Sequence, residues 1–363
     1  MPTATPTRSP ISVARKGLGK LAGLAATPLI PEDYLDLLSP LASRAELRGR
    51  IVEVLPETAD AATLVIEPGR SWRRHTPGQY IRIGVDVDGV RQWRAYSLTS
   101  TAARPDGHIS ITVKAMPDGV VSNHLVHRAQ VGTIVQLDQA CGEFTLGEAT
   151  HERALFVTAG SGITPVMGIL RGCRDQLRDV VVVHSAPTEA DVIFRAELRQ
   201  LAADDHIALI ERHTDVEGIV DAATLAALVP DLASRETWAC GPSGLLDALE
   251  QHFGDAGIDE RLHTERFRAT ALVTGDGGPV TFSSSAETVE ADGATPLLDV
   301  GEAAGVLMPS GCRMGICHGC VAPLREGAVR DLRTGDLTTA MAGDNVRIQT
   351  CVSAAAGPCN IDL

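Results

Sequence analysis

Cys312-Arg-Met-Gly-Ile-Cys317-His-Gly-Cys320, followed far downstream by Cys351, is the stretch on which the reading of this chain turns. Four thiolates can hold two ferric ions bridged by two sulfides. Three ligands from one short loop have to wrap a compact cluster, which requires a backbone with little bulk. Gly311, Gly315 and Gly319 supply it, and their amides can point at the sulfides. The fourth ligand has to return from a distant strand, and Cys351 follows the run Val346-Arg-Ile-Gln-Thr. Cys359 is the rival; Cys351 is preferred because Cys359 falls in a Gly357-Pro358 tail expected to be less fixed. The competing readings are free thiols or a zinc site, but zinc usually takes two Cys-x2-Cys knuckles and one is present. The expected metal ligands are Cys312, Cys317, Cys320 and Cys351.

Working outward, residues 269–363 form a C-terminal unit. Strands are expected at 271–274 and 280–283, with a short helix near Leu297–Ala304 before the cysteine loop. Between 149 and 268 the texture is alternating. Ala154 to Thr158 is a nearly continuous apolar run, suited to a strand buried on both faces. Further strands are expected at 180–184, 207–211 and 237–240, and helices at 164–173, 194–203, 221–228 and 243–256. That alternation indicates a parallel α/β sheet. Between 46 and 148 short period-two runs are punctuated by Pro68-Gly69, Pro77-Gly78, Asp88-Gly89 and Asp106-Gly107, which indicates an antiparallel β-barrel. Residues 1–45 are a separate basic segment. Arg8, Arg15, Lys16 and Lys20 precede the first acid, Glu32, and Ile11, Ala14, Leu18 and Leu21 keep helical spacing. Within 1–31 this reads as an arm for an anionic membrane surface or a partner, against a frayed leader or a transit peptide. A short helix is expected around Tyr34–Leu38.

With 363 residues, two or three domains are expected. Acidic residues outnumber basic ones, 46 to 32, for a net charge of −14, which argues against a nucleic-acid partner. No apolar run is long enough for a transmembrane helix, and the N-terminus lacks the order of a secretory signal. Eight cysteines spread so unevenly do not make a disulfide scaffold, so a reducing, cytoplasmic setting is expected, with peripheral attachment to the inner face of the membrane as an option.

Two further motif groups carry chemistry. Arg94-Ala-Tyr96-Ser97 lies on a barrel strand, where an Arg can fork onto a pyrophosphate, a Tyr ring can lie against an isoalloxazine, and a Ser hydroxyl can bond near the flavin N5. Gly119-Val120-Val121-Ser122 opens a short helix whose first amides can bind phosphate, against a plain turn capped by Ser122. Thr158-Ala-Gly160-Ser161-Gly162-Ile163-Thr164-Pro165 leaves a buried strand and opens a helix, the place for a dinucleotide pyrophosphate. Cys240-Gly241-Pro242 ends another strand of that unit, where parallel sheets place ligands.

In that order the motifs resemble ferredoxin-NADP reductase-type flavoenzymes fused to a C-terminal plant-type ferredoxin domain, over about residues 46–363. Members of that layout serve oxygenases, desaturases and hydroxylases. The resemblance implies a β-grasp fold for the last unit. It implies that Arg94, Tyr96, Ser97, Val113, Lys114 and Gly119 to Ser122 hold a flavin, FAD rather than FMN. Gly160, Ser161, Gly162 and Thr164 would face the nicotinamide dinucleotide, and Cys240 would stand by its ring. Glu265-Arg-Phe267 matches the E-x-F segment of such fusions, with Phe267 over or beside the flavin. The chain departs from single-domain reductases, which often end in an aromatic there, by continuing into the ferredoxin. Cys240, Tyr96, Ser97 and Glu265 are the expected catalytic residues.

The expected path is hydride from nicotinamide to FAD, then single electrons to the 2Fe–2S centre and on to an acceptor. NADPH is preferred over NADH. No carboxylate stands directly past the strand 180–183, whereas Ser185 and Thr188 offer hydroxyls and Arg195 or Arg212 a cation for a 2′-phosphate. The segment from Ala271 carries 11 acids and 5 bases, which suits an acceptor with a basic patch. The favoured acceptor is a membrane-bound di-iron fatty-acyl desaturase or alkane hydroxylase; the alternatives are a soluble multicomponent oxygenase and a non-enzymatic redox sensor.

Overall fold

The computed structural model describes residues 40–42, 46–117, 119–267, 274–316 and 318–363. The basic segment 1–31, the helix expected near 34–38, Asp118, most of the strand expected at 271–274, and Cys317 lie outside them.

The first sheet has six antiparallel strands: β1 (Arg48–Thr58), β2 (Ala61–Pro68), β3 (Tyr80–Val87), β4 (Val90–Ser97), β5 (Ile109–Lys114) and β6 (Ile134–Leu137). Their order is β4-β3-β6-β1-β2-β5. The two-residue connection Asp88-Gly89 has both residues at positive φ, 50° and 82°, the turn whose twist suits a tight hairpin. The outer strands meet: Leu98 bridges Ile111, and the Thr99 N–H donates to the Ser110 carbonyl at 2.8 Å. The sheet thus closes into the expected barrel, around an interior of Ile51, Leu64, Ile81, Ile83, Leu98 and Ile111.

The second sheet is wholly parallel. It comprises β7 (His151–Ala159), β8 (Leu177–Ala186), β9 (Ala208–His213), β10 (Glu236–Cys240) and β11 (Leu262–Glu265), in the order β11-β10-β7-β8-β9. Strand alternation sends Ala154 and Phe156 into one core and Leu155 and Val157 into the other, so apolar residues are needed on both faces. The chain runs outward from β7 to β9, then crosses back to β10. The ends of β7 and β10 therefore flank the point where strand order reverses, the position at which open α/β sheets hold ligands.

The core containing Phe156 also takes in Ala61, Phe144 and Leu146 from the barrel side. The helix Ile163–Gly172 lies against the barrel closely enough that a Cβ on Gly168 would stand 2.3 Å from the Leu98 carbonyl oxygen. Its Arg171 donates from Nη1 to the Thr99 carbonyl at 2.6 Å and from Nε to Glu197 Oε1 at 2.8 Å. The barrel is thereby tied to the parallel sheet.

The third sheet comprises β12 (Gly278–Phe282), β13 (Glu287–Ala291), β14 (Val321–Asp331), β15 (Leu337–Ala340), β16 (Val346–Gln349) and β17 (Ser353–Ile361). Its order is β13-β12-β17-β14-β15, with β16 paired to β14. The first and last strands run parallel at its centre, and the helix Leu297–Ala303 buries Leu297 and Leu298 against it, which is the β-grasp arrangement. One expectation is corrected here. The Gly357-Pro358 stretch is not a loose tail but part of β17, where Cys359 is buried between Val280 and Gly327. Its alanine-rich sequence has weak strand propensity; pairing on both sides makes it a central strand. No helix among the described residues is long and apolar enough to cross a membrane.

Candidate functional site

β3 and β4 set Tyr80 opposite Ser97 and Ile81 opposite Tyr96. Ser97 is buried and its Oγ has no hydrogen-bond partner among the described residues. Burial pushes the Tyr96 phenol up, opposed in part by Arg94. The Arg94 guanidinium donates to the Trp93 carbonyl at 2.8 Å and to Gln92 at 3.3 Å. Burial, and then the nearby Arg313 cation, lower the Arg94 pKa.

The Gly119–Ser122 turn opens the helix Val120–His127. Ser122 Oγ accepts from the Met116 N–H at 3.1 Å and donates to the Gly119 carbonyl at 3.1 Å, so this hydroxyl closes the turn internally. Val120 is half exposed and Val121 is buried. On β5, Val113 is wholly buried and Lys114 Nζ binds Asp60 at 2.6 Å.

Gly160–Gly162 is a single turn leading into the helix Ile163–Gly172, whose N-terminus has no side-chain cap. Thr164 Oγ1 donates to the Ser161 carbonyl at 2.9 Å, so this hydroxyl is engaged within the turn. A Cβ on Gly162 would lie 2.0 Å from the Cys240 carbonyl oxygen, so only glycine lets the turn rest on the Cys240-Gly241-Pro242 segment.

Strand register then places Cys240 level with Thr158 on one side and Glu265 on the other. All three side chains share one face. Burial, then the nearby Glu265, hold the Cys240 thiol well above its usual range. Burial alone pushes Glu265 up to about 8, and its Oε2 has no partner among the described residues. Ser97 Oγ and Glu265 Oε2 are thus two buried oxygens left without partners among the described residues, polar atoms that a bound group could satisfy. Phe267 follows two residues on and is 38 % exposed.

Tyr80 was not singled out by any motif. It bridges Cys141, with N–H to carbonyl bonds of 2.9 Å in each direction. Burial raises its phenol first, then a hydrogen bond with the Cys141 thiol, and then the charges of Cys141, Cys312 and Glu265. Tyr80 thus brings the barrel, the parallel sheet and the cysteine loop to one place.

In that loop Cys312 and Cys320 are buried, as is Cys351 beyond β16. The Met314 N–H donates to Cys312 Sγ at 3.3 Å. The Cys351 thiol is raised first by its hydrogen bond with Cys320, then by burial and by the charges of Cys320 and Cys312, while the Gly315 N–H works the other way. Cys320 and Cys351 are thus in hydrogen-bond contact, with Cys312 within electrostatic reach, and soft donors of this kind fit an iron–sulfur group. Cys359 stands apart in β17, its thiol pushed up to about 11 by burial alone. Arg313 pairs with Asp299 at 2.7 Å and with Glu302, beside Arg94.

The residues expected to meet a 2′-phosphate are less open than the sequence implies. Ser185 is buried at the end of β8, and Arg195 Nη1 donates to the Glu189 carbonyl at 3.2 Å. Arg212 pairs with Glu217 at 2.7 Å, and Thr188 Oγ1 donates to Asp191 at 2.7 Å.

The oxidoreductase FAD-binding domain family matches residues 61–146, the oxidoreductase NAD-binding domain family residues 156–251, and the 2Fe-2S iron-sulfur cluster binding domain family residues 280–356. An NADPH oxidoreductase of Mycobacterium tuberculosis is 50 % identical over 353 residues, covering 95 % of this chain and 92 % of that one. The ferredoxin reductase component of 3-ketosteroid-9-alpha-monooxygenase from Mycolicibacterium smegmatis is 32 % identical, covering 80 % and 89 %. Phthalate dioxygenase reductase, at 22 % identity, shares the fold with a TM-score of 0.60 over 87 % of this chain and 97 % of that one. The chain belongs to the family of oxidoreductases that join an FAD-binding barrel and a nicotinamide-binding sheet to a 2Fe–2S domain.

Proposed function

We propose that this oxidoreductase carries electrons from NADPH, by way of FAD and a 2Fe–2S centre, to a terminal oxygenase. The observation that carries this reading is the presence in one chain, in order, of an FAD-binding barrel, a nicotinamide-binding sheet and a 2Fe–2S domain. When bound, the flavin accepts a two-electron hydride and releases electrons singly, which matches a nicotinamide donor to an iron–sulfur acceptor. The chain's own residues bind, orient and exclude water. Arg94 and the glycine turn Gly160–Gly162 take phosphates, and Ser97 Oγ offers a hydrogen bond at the flavin edge. Cys240 presents a neutral thiol where the nicotinamide ring would lie, and Glu265 holds a proton at neutral pH. Cys312, Cys317, Cys320 and Cys351 are the proposed ligands, within units divided near residues 46, 149 and 269.

The proposed acceptor is a membrane-bound di-iron desaturase or hydroxylase. Support comes from the basic segment 1–31, whose Arg8, Arg15, Lys16 and Lys20 suit an anionic surface. The names of the 3-ketosteroid and glycine betaine monooxygenase reductases favour the alternative, a multicomponent oxygenase. Sedimentation with vesicles separates the two. The full chain should pellet with phosphatidylglycerol vesicles and a chain beginning at residue 46 should not. Equal amounts left in the supernatant would remove the support for a membrane partner.

Electron delivery is tested at the cysteines. Cys351→Ser should keep NADPH-dependent ferricyanide reduction but lose iron and at least about tenfold in cytochrome c reduction. Cys359→Ser should keep both. The opposite pattern would exchange the fourth ligand.

The nicotinamide choice is read from kcat/KM. NADPH should exceed NADH, in line with the name of the Mycobacterium tuberculosis relative. Ser185→Asp should lower that ratio at least about tenfold, because a carboxylate repels a 2′-phosphate and accepts from a 2′-hydroxyl. A wild-type ratio below one overturns the preference.

Glu265 gives a pH signature in the flavin-free protein. Its carboxyl keeps a proton up to about pH 8 when folded but loses it near the ordinary carboxylate range when unfolded. Stability should therefore fall as pH rises from about 4.5 to about 8, by on the order of a few kcal/mol. Glu265→Gln should flatten that decline in urea midpoints measured across the range. An unchanged slope would exclude a buried protonated Glu265.

A further inference from the structure

Arg333 lies just past the end of β14, outside every cysteine motif. It donates from Nε to Asp331 Oδ1 at 3.1 Å and from Nη2 to Asp331 Oδ2 at 2.7 Å. The same guanidinium donates from Nη1 to the Gly315 carbonyl at 3.1 Å and from Nη2 to Gln349 Oε1 at 3.3 Å. Gln349 Nε2 donates to that carbonyl as well, at 2.9 Å. Gly315 has φ +75°, and a Cβ there would lie 2.3 Å from Arg333 Nη1 and 2.9 Å from Val352 Cγ1. The loop is therefore pressed onto the guanidinium, while the Gly315 N–H reaches the Cys351 thiol. The Leu332 N–H donates to the Val352 carbonyl at 2.8 Å, tying the end of β14 to the residue after Cys351. Cys351 and Cys320 both lie within electrostatic reach of Arg333. Burial works against ionisation of Asp331, but the Arg333 hydrogen bonds overcome it and keep the carboxyl below its usual range.

We propose that Arg333 is a positioning residue of the iron–sulfur site, which fixes the Gly315 carbonyl and sets one positive charge beside Cys320 and Cys351 so that the reduced cluster is favoured. This rests on the reading of Cys312, Cys317, Cys320 and Cys351 as cluster ligands. Reduction adds one electron and breaks no bond, so the cluster gains one negative charge, and a fixed cation nearby stabilises that state. Asp331 opposes the cation. Removing either partner should therefore move the cluster potential in opposite directions, which a purely mechanical clamp would not do.

The test is a dithionite titration with mediators on the full chain, followed by the electron paramagnetic resonance signal of the reduced cluster. Only loaded molecules give that signal, so partial loss of iron does not obscure the midpoint. At the wild-type midpoint, Arg333→Gln should lower the ratio of reduced to oxidised cluster at least about threefold, about 28 mV for a one-electron couple. Arg333→Lys should recover most of the shift, and Asp331→Asn should raise the ratio. An unchanged midpoint in Arg333→Gln, or shifts of the same sign in Arg333→Gln and Asp331→Asn, overturns the proposal. Should Arg333→Gln hold no cluster, the other two decide: Asp331→Asn must rise while Arg333→Lys stays near the wild type, and any other pair of results overturns it. A wild type with no signal would overturn the cluster reading itself.

Discussion

A β-carbon on Gly162 would stand 2.0 Å from the Cys240 carbonyl oxygen, and the rest of the site is hung from that contact. Because it can close, the turn after β7 rests on the peptide after β10, and the helix Ile163–Gly172 starts low over the sheet. The same helix then meets the barrel through Gly168, at the Leu98 carbonyl. Leu98 directly follows Tyr96 and Ser97, so the height of the helix sets how far the flavin motif stands from Cys240 and Glu265. Overpacking a close contact costs about 1–3 kcal/mol and forces backbone shifts. Here such a shift would displace Cys240 and Glu265 relative to Ser97, whose hydroxyl, like Glu265 Oε2, has no partner among the described residues.

The strand and helix pattern of the first two units was legible because each element obeys a strong local rule. Ala154 to Val157 is apolar throughout because both faces of β7 are covered, and Asp88-Gly89 is a turn because both residues take positive φ. The third unit was less legible. β17 is built from alanines around Gly357-Pro358, and its place between β12 and β14 is a matter of pairing that no window of sequence contains. The site divides in the same way. Cys320 and Cys351 stand in hydrogen-bond contact with Cys312 within electrostatic reach, and the loop is recognisable in sequence because its cysteines lie at short fixed spacings. Tyr80, Cys141, Arg333 and Gln349 leave none, because their partners come from distant strands. Ser122 and Lys114 show the converse, residues that fit a motif but are engaged by their own neighbours.

The interior of the site is assembled from ionisable groups held neutral. Burial raises Cys240, Glu265, Tyr80 and Tyr96, and it lowers His184 to about 4, so that none carries charge near neutral pH. Unpaired charges in so dry a space would cost several kcal/mol each, so neutrality is the stable arrangement in the absence of partners. Fixed charges stand instead at the edges: Arg94 beside Arg313, with Asp299 and Glu302 offsetting the second of these, and Arg333 against Asp331. An interior of this kind disfavours negative charge as such, so an anionic group is held at the edges, where Arg313 and Arg333 are already tethered by carboxylates. Placing the charges at the edges, where they are paired, and neutral polar atoms in the buried interior lets the site take anionic groups without an unpaired charge inside it.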